Sequence, residues 1–246
     1  MKKCIIIIII ICILIISLIY GGYKYFSYYR YNQNIEISIE YIKEGEYDKC
    51  INLIKEENLD ISNSSIFIET IIEISNKNKI IDISDYLENF DTKISQISKL
   101  ESFYNSLNIE NEYLDNFYNY SNKLNDYKKI VPSIKWFSSA EQYTYKKMME
   151  GFDESNILMM ARFLETYSFE KFGENEVHIK ELKESFEKLS QQYYSMDTAI
   201  KTYNHSLLEE SKKEATLILT DLAKIEIEII AEQDAINNII KKINML

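Results

Sequence analysis

From Asn175 to Leu246 the chain contains neither glycine nor proline, and apolar residues recur there in alternating steps of three and four. The first series is Ile179, Leu182, Phe186, Leu189, Tyr193, Met196, Ile200, Tyr203 and Leu207. Such steps put every member on one stripe of an α-helix, the a/d seam of a heptad repeat. A polar run from Glu209 to Glu214 interrupts the seam. It resumes at Ala215, Ile218, Leu222, Ile225 and Ile229 and continues through Ile236, Ile239 and Ile243, with Glu232 as its one polar position. The interval from Leu207 to Ala215 is equivalent to a stutter, which unwinds a supercoil locally without breaking the helix. Two forms satisfy the pattern. One is a single helix of about 70 residues, roughly 100 Å long; the other bends near Ser211 and folds the two seams into an antiparallel hairpin. Either way the stripe must be buried, and the bulk of Tyr193 and Tyr203 favours packing within the chain's own helical bundle over a tight dimer.

The rest of the chain also points to helices. Only 5 glycines and 1 proline occur in 246 residues, too few for the turns of an all-β domain. Hydrophobic residues make up 46%, enough for a real core. The fold class expected is therefore all-α.

Ile5 to Tyr20 is apolar throughout except for Ser17, and Lys2 and Lys3 precede it. Cys4 and the Gly21-Gly22 pair extend this run towards the roughly 20 residues that span a bilayer, and Tyr20, Tyr23 and Tyr25 suit an interface. A cleaved leader fits poorly, because Ile19 and Gly21 would have to fill the −3 and −1 positions ahead of the only plausible cut. A lipoprotein anchor fails too, since Cys4 precedes the run and Cys12 follows Ile11. The expectation is an uncleaved signal anchor, a single transmembrane helix with the N-terminus cytoplasmic and the body extracytoplasmic. The first 30 residues carry four basic side chains and no acid, leaving 24 basic against 39 acidic residues in the remainder, a net of −15. A body this acidic repels nucleic acid and anionic lipid.

From about Ile35 the pattern turns helical. The stretch Ile37-Ser38-x-x-Tyr41-x-x-x-Gly45-x-Tyr47-x-x-Cys50-Ile51-x-x-Ile54 resembles the tetratricopeptide repeat, over residues 35–64. Ser38 and Cys50 are small enough for two helices to cross closely, and Gly45 permits the turn between them. The stretch departs from the family where Asn34 replaces the usual Trp and where no Pro follows the second helix. The resemblance implies helical hairpins that bind protein partners. Asn78 and Asn111 lie 33 and 66 residues after Gly45 and are read as further left-handed turn positions of a degenerate series. Pro132 disfavours helix at Val131 and marks a boundary. Three regions result: an anchor and flank at 1–30, a hairpin region at 31–130, and a long-helix bundle or coiled coil at 131–246. Within the last, Ser138 or Ser139 caps a helix towards Glu150, Gly151 ends it, Asp153 or Ser155 caps the next, and Gly173 closes that one. The Met148-Met149 and Met159-Met160 pairs are read as core filling in preference to a pliable binding face.

Chemistry is hard to find. The two histidines, His178 and His205, belong to no zinc or di-iron spacing, and Asn175 and Thr202 stand where the latter needs Glu. No P-loop, nucleophile elbow or dinucleotide turn occurs. Glu56-Glu57 and Glu209-Glu210 read as solvated helix faces, and only Cys50 lies in the body, so no disulfide or Cys-x-x-Cys pair is available there. No catalytic, metal or cofactor residue is assigned. The function expected is a membrane-tethered, non-catalytic scaffold that binds a protein at the cell envelope. The alternative is a structural envelope protein that self-assembles through the C-terminal seam.

Overall fold

The computed structural model describes residues 2–61, 65–139, 142–152 and 154–246, with side chains from Cys12 onward. Among these residues there are ten α-helices, three short 3-10 turns and no strand. The helices are α1 (Lys2–Glu44), α2 (Tyr47–Glu56), α3 (Ser65–Asn78), α4 (Ile83–Ser106), α5 (Glu112–Asp126), α6 (Val131–Phe137), α7 (Gln142–Glu150), α8 (Ile157–Thr166), α9 (Val177–Lys201) and α10 (His205–Met245). The chain divides into two compact units. The first comprises residues 1–79 and 91–118, the second residues 80–90 and 119–246.

In the first unit α1 runs unbroken for 43 residues, so the apolar N-terminal run and the first body helix are one element. Gly45, at φ 76°, reverses the chain into α2, with Glu46 N donating to Tyr41 O at 2.8 Å. The expected close crossing is present: Ser38 of α1 and Cys50 of α2 are both fully buried. The later members of the series behave differently. Among the described residues, left-handed non-glycine backbone occurs at Asn58, Asn108 and Tyr203, not at Asn78 or Asn111. Asn78 is the last residue of α3, and Asn111 is a cap whose Oδ1 accepts from Leu114 N at 3.1 Å. The inward residues of α5 are Leu114, Phe117, Tyr118, Ser121 and Leu124. What stands is an all-helical packed fold containing a hairpin.

The second unit is built round an aromatic cluster. Trp136 of α6 is fully buried, donates through Nε1 to Tyr167 Oη at 2.9 Å, and meets Tyr145, Phe169 and Phe186 at ring distances of 5.6 to 6.0 Å. Replacing such a side chain by alanine removes both apolar burial and a hydrogen bond, worth about 3–5 kcal/mol. Pro132 sits in the first turn of α6, which starts at Val131 with helical dihedrals of −52° and −45°. The proline was expected to keep Val131 out of helix. Its first-turn position explains the outcome, because the missing N–H has no intrahelical partner there. Ser138 closes α6 instead of opening α7, and Ser139 Oγ donates back to Trp136 O. Gly151 does end α7, at φ 138°, whereas Asp153 lies outside the described residues. Gly173 closes a 3-10 turn at Glu170–Phe172, α8 having already ended at Thr166.

The heptad seam is a hairpin. Helices α9 and α10 pack on each other and turn at Thr202–Asn204, upstream of the expected bend at Ser211. Tyr203 takes φ 57°, Asn204 N donates to Ala199 O at 2.9 Å and Tyr203 N to Ile200 O at 3.3 Å. That pair of bonds is a Schellman C-cap with tyrosine where glycine is usual. Asn204 then caps α10 by accepting from Leu207 N at 3.1 Å. In α9 the seam from Ile179 to Met196 is buried as expected. It then shifts to Ala199, and Tyr203 is 87% exposed because it occupies the turn. In α10 Ser211 is buried and carries the seam through the polar run, and Ile240 replaces Ile239 as the inward residue.

Candidate functional site

The clearest concave apolar surface of the second unit lies where α7, α9 and α10 meet. Heptad spacing turns Tyr193 and Met196 of α9 and Ala215 of α10 towards one another, and Leu219 of α10 flanks them. The end of α7 adds Met148 and Met149, and the reversal at Gly151 swings Phe152 across the opening. These side chains line a half-open groove of about 490 Å³, within the range of ligand and side-chain pockets. Lys212, Thr216 and Thr220 give the groove its polar groups. The Lys212 ammonium lies 5.1 Å from the centre of the Phe152 ring and 3.5 Å from Glu209. A second cavity of about 320 Å³ opens behind Phe152 and shares Met148, Gly151 and Tyr193. Phe152 lines both the apolar groove and this more polar cavity.

The methionines divide in their roles. Met148 is buried core, as expected, but Met149 and Met160 are half-buried cavity walls and Met159 is 61% exposed.

Several ionisable groups of the body take part in its packing. Burial pushes the Cys50 thiol up to about 12, and Ser38 Oγ beside it is buried without a well-formed hydrogen bond. The Tyr104 hydroxyl accepts from Asn111 N at 2.7 Å and donates to Asp115 Oδ1 at 2.9 Å; burial, then the carboxylate, holds its pKa at about 12. Burial and Glu226 likewise raise Tyr145, whose hydroxyl donates to Glu226 Oε2 at 3.2 Å. Glu232, the polar member of the seam, faces His178, with Oε2 and Nε2 3.6 Å apart. His205 is exposed at the start of α10. Among the described residues no group of three or more His, Cys, Asp or Glu side chains is placed to hold a metal ion. Glu57 pairs with Arg30 at 2.6 Å, and Glu209 and Glu210 are exposed.

Among the described residues no helix is long and apolar enough to cross a membrane. The side chains of Ile5 to Ile11, nearly half of the apolar run, lie outside those described. From Ile13 to Tyr29 the large apolar and aromatic side chains of α1 are exposed.

No protein-family model matches the chain, and neither the curated proteins nor the solved structures that were compared contain a match to it.

Proposed function

We propose that the chain is a membrane-tethered, non-catalytic helical scaffold whose body binds a protein partner at the cell envelope. The observation that carries the binding reading is the methionine-walled groove beside Phe152. Flexible thioethers adapt to an apolar anchor of a partner more readily than branched side chains do. The net −15 of the body beyond residue 30 selects a partner segment that is basic around that anchor, such as an amphipathic helix. The tether rests on the apolar run Ile5 to Tyr20, continued by exposed apolar side chains on α1. Orientation follows from charge. Lys2 and Lys3 stand directly ahead of the apolar run, the side that such residues hold in the cytoplasm.

The self-assembly reading loses its main surface, because the seam residues of α9 and α10 are buried within one chain. Photocrosslinking from Met149 in the full tethered chain separates the two. A discrete partner captured at stoichiometric yield, and lost in Leu219→Glu, supports the scaffold. Capture of only a second copy of the chain replaces it with self-assembly, and capture of nothing sinks it.

A further inference from the structure

From the last residue of the apolar run, α1 continues through Tyr20, Tyr23, Tyr25, Phe26, Tyr28 and Tyr29 before the body begins. All six side chains are exposed, each by 58% or more. At about 100° per residue they fall round the whole helix, at intervals of roughly 40° to 80°. A protein groove or a partner helix covers one stripe of a helix. A set that faces every direction calls for surroundings that are the same on all sides, and the headgroup layer of a bilayer is such an environment, one in which Tyr rings concentrate. Lys24, exposed within the set, suits lipid phosphates.

The lengths agree. Ile5 to Tyr20 spans about 24 Å of helix, short of the roughly 30 Å hydrocarbon core, whereas Ile5 to Tyr29 spans about 37 Å, close to the 40–45 Å of a bilayer with its headgroups. The body starts at the next residue. Arg30 pairs with Glu57 at 2.6 Å, and Tyr31 Oη donates to Asp60 O at 3.0 Å, tying the end of α2 to the same helix.

Resting on the tether proposed above, we propose that residues 20–29 form an aromatic collar seated in the headgroup layer. The first unit is then mounted directly on the membrane by a continuous helix, with Glu57 and Asp60 at the lipid surface. No flexible linker separates anchor from body, so the height of the first unit above the lipid is fixed.

The test uses the full chain carrying Cys4→Ser and Cys12→Ser, reconstituted in phosphatidylcholine vesicles. Cys50 stays, being buried and unreactive. Single reporter cysteines replace Tyr23, Tyr25, Phe26 or Tyr28, four sides of the helix, or exposed Glu40 as reference, and carry an environment-sensitive fluorophore. The expected result is several-fold weaker iodide quenching at all four collar positions than at 40, with strong quenching by headgroup-labelled lipid. Quenching at the collar equal to that at 40, in chains that still float with the vesicles, overturns the collar and leaves the tether standing. Protection on one side only overturns it in favour of a protein stripe. Chains that do not float with vesicles overturn the tether and the collar together.

Discussion

Tyr203 decides between a hairpin and a single long helix, and its substitution reports the difference by sign. In the hairpin the residue holds φ 57° at the Schellman position and is 87% exposed, so the side chain contributes almost no packing. A left-handed conformation costs an L-residue about 1–2 kcal/mol, which glycine avoids. Glycine gives back about 0.5–1 kcal/mol through the greater freedom of its unfolded chain. Tyr203→Gly is therefore stabilising by about 0.5–1 kcal/mol, and for a chain of this size that raises Tm by about 1–4 °C. Tyr203→Ala keeps the strain and is close to neutral. A continuous helix through residue 203 inverts the order: alanine gains about 0.5 kcal/mol over tyrosine and glycine loses a similar amount. Thermal melts of the full chain in detergent micelles, followed by circular dichroism at 222 nm, measure both variants. A lower Tm for the glycine variant together with a higher one for the alanine variant refutes the turn.

Other outcomes follow from the same geometry. Asn204→Ala removes the acceptor for Leu207 N at 3.1 Å and lowers stability by about 1 kcal/mol, readable in the same melts. Trp136→Ala empties the centre of the aromatic cluster and costs about 3–5 kcal/mol, with loss of the near-ultraviolet dichroism of the second unit. Arg30→Ala breaks an exposed pair and shifts stability by no more than about 1 kcal/mol. Alkali destabilises the fold. The folded-state pKa values of Cys50 and Tyr104 lie at about 12, above their ordinary 9.0 and 10.0, so the protonated forms are favoured by folding. That stability is whole below pH 9 and is lost as pH rises towards 12; Cys50→Ala flattens the fall of helicity across this window.

The helical class and much of the core were legible because they depend on period, which sequence displays directly. The seam from Ile179 to Met196 and the small pair Ser38 and Cys50 are buried where spacing put them. Turns were less legible. Gly45 announces one, but Asn58, Asn108 and Tyr203 reach the same left-handed backbone without glycine. The start of α6 was missed because a proline reads as a stop unless its place in the first turn is known. The groove was invisible for another reason: Met149, Tyr193 and Leu219 come from three helices, and no local pattern relates them.

A seam states that a stripe must be buried but not against what, and the turn at Thr202–Asn204 carries the missing information. Glu232 interrupts the apolar series of α10 and is met across the hairpin by His178 at 3.6 Å, near the N-terminal end of α9. Sliding α10 by one heptad in either direction sets Ile225 or Ile239 opposite His178 and takes Glu232 away from it. The Glu232 side chain is 36% exposed, so losing that pairing costs about 1 kcal/mol or less. The pairing accompanies the register, and the short turn at Thr202–Asn204 imposes it by leaving no slack for a slide of seven residues. Register in turn places Leu219, thirteen residues before Glu232 on α10, against Tyr193 and Met196, fifteen and eighteen residues after His178 on α9. The turn that ends α9 is thus what aligns the walls of the groove.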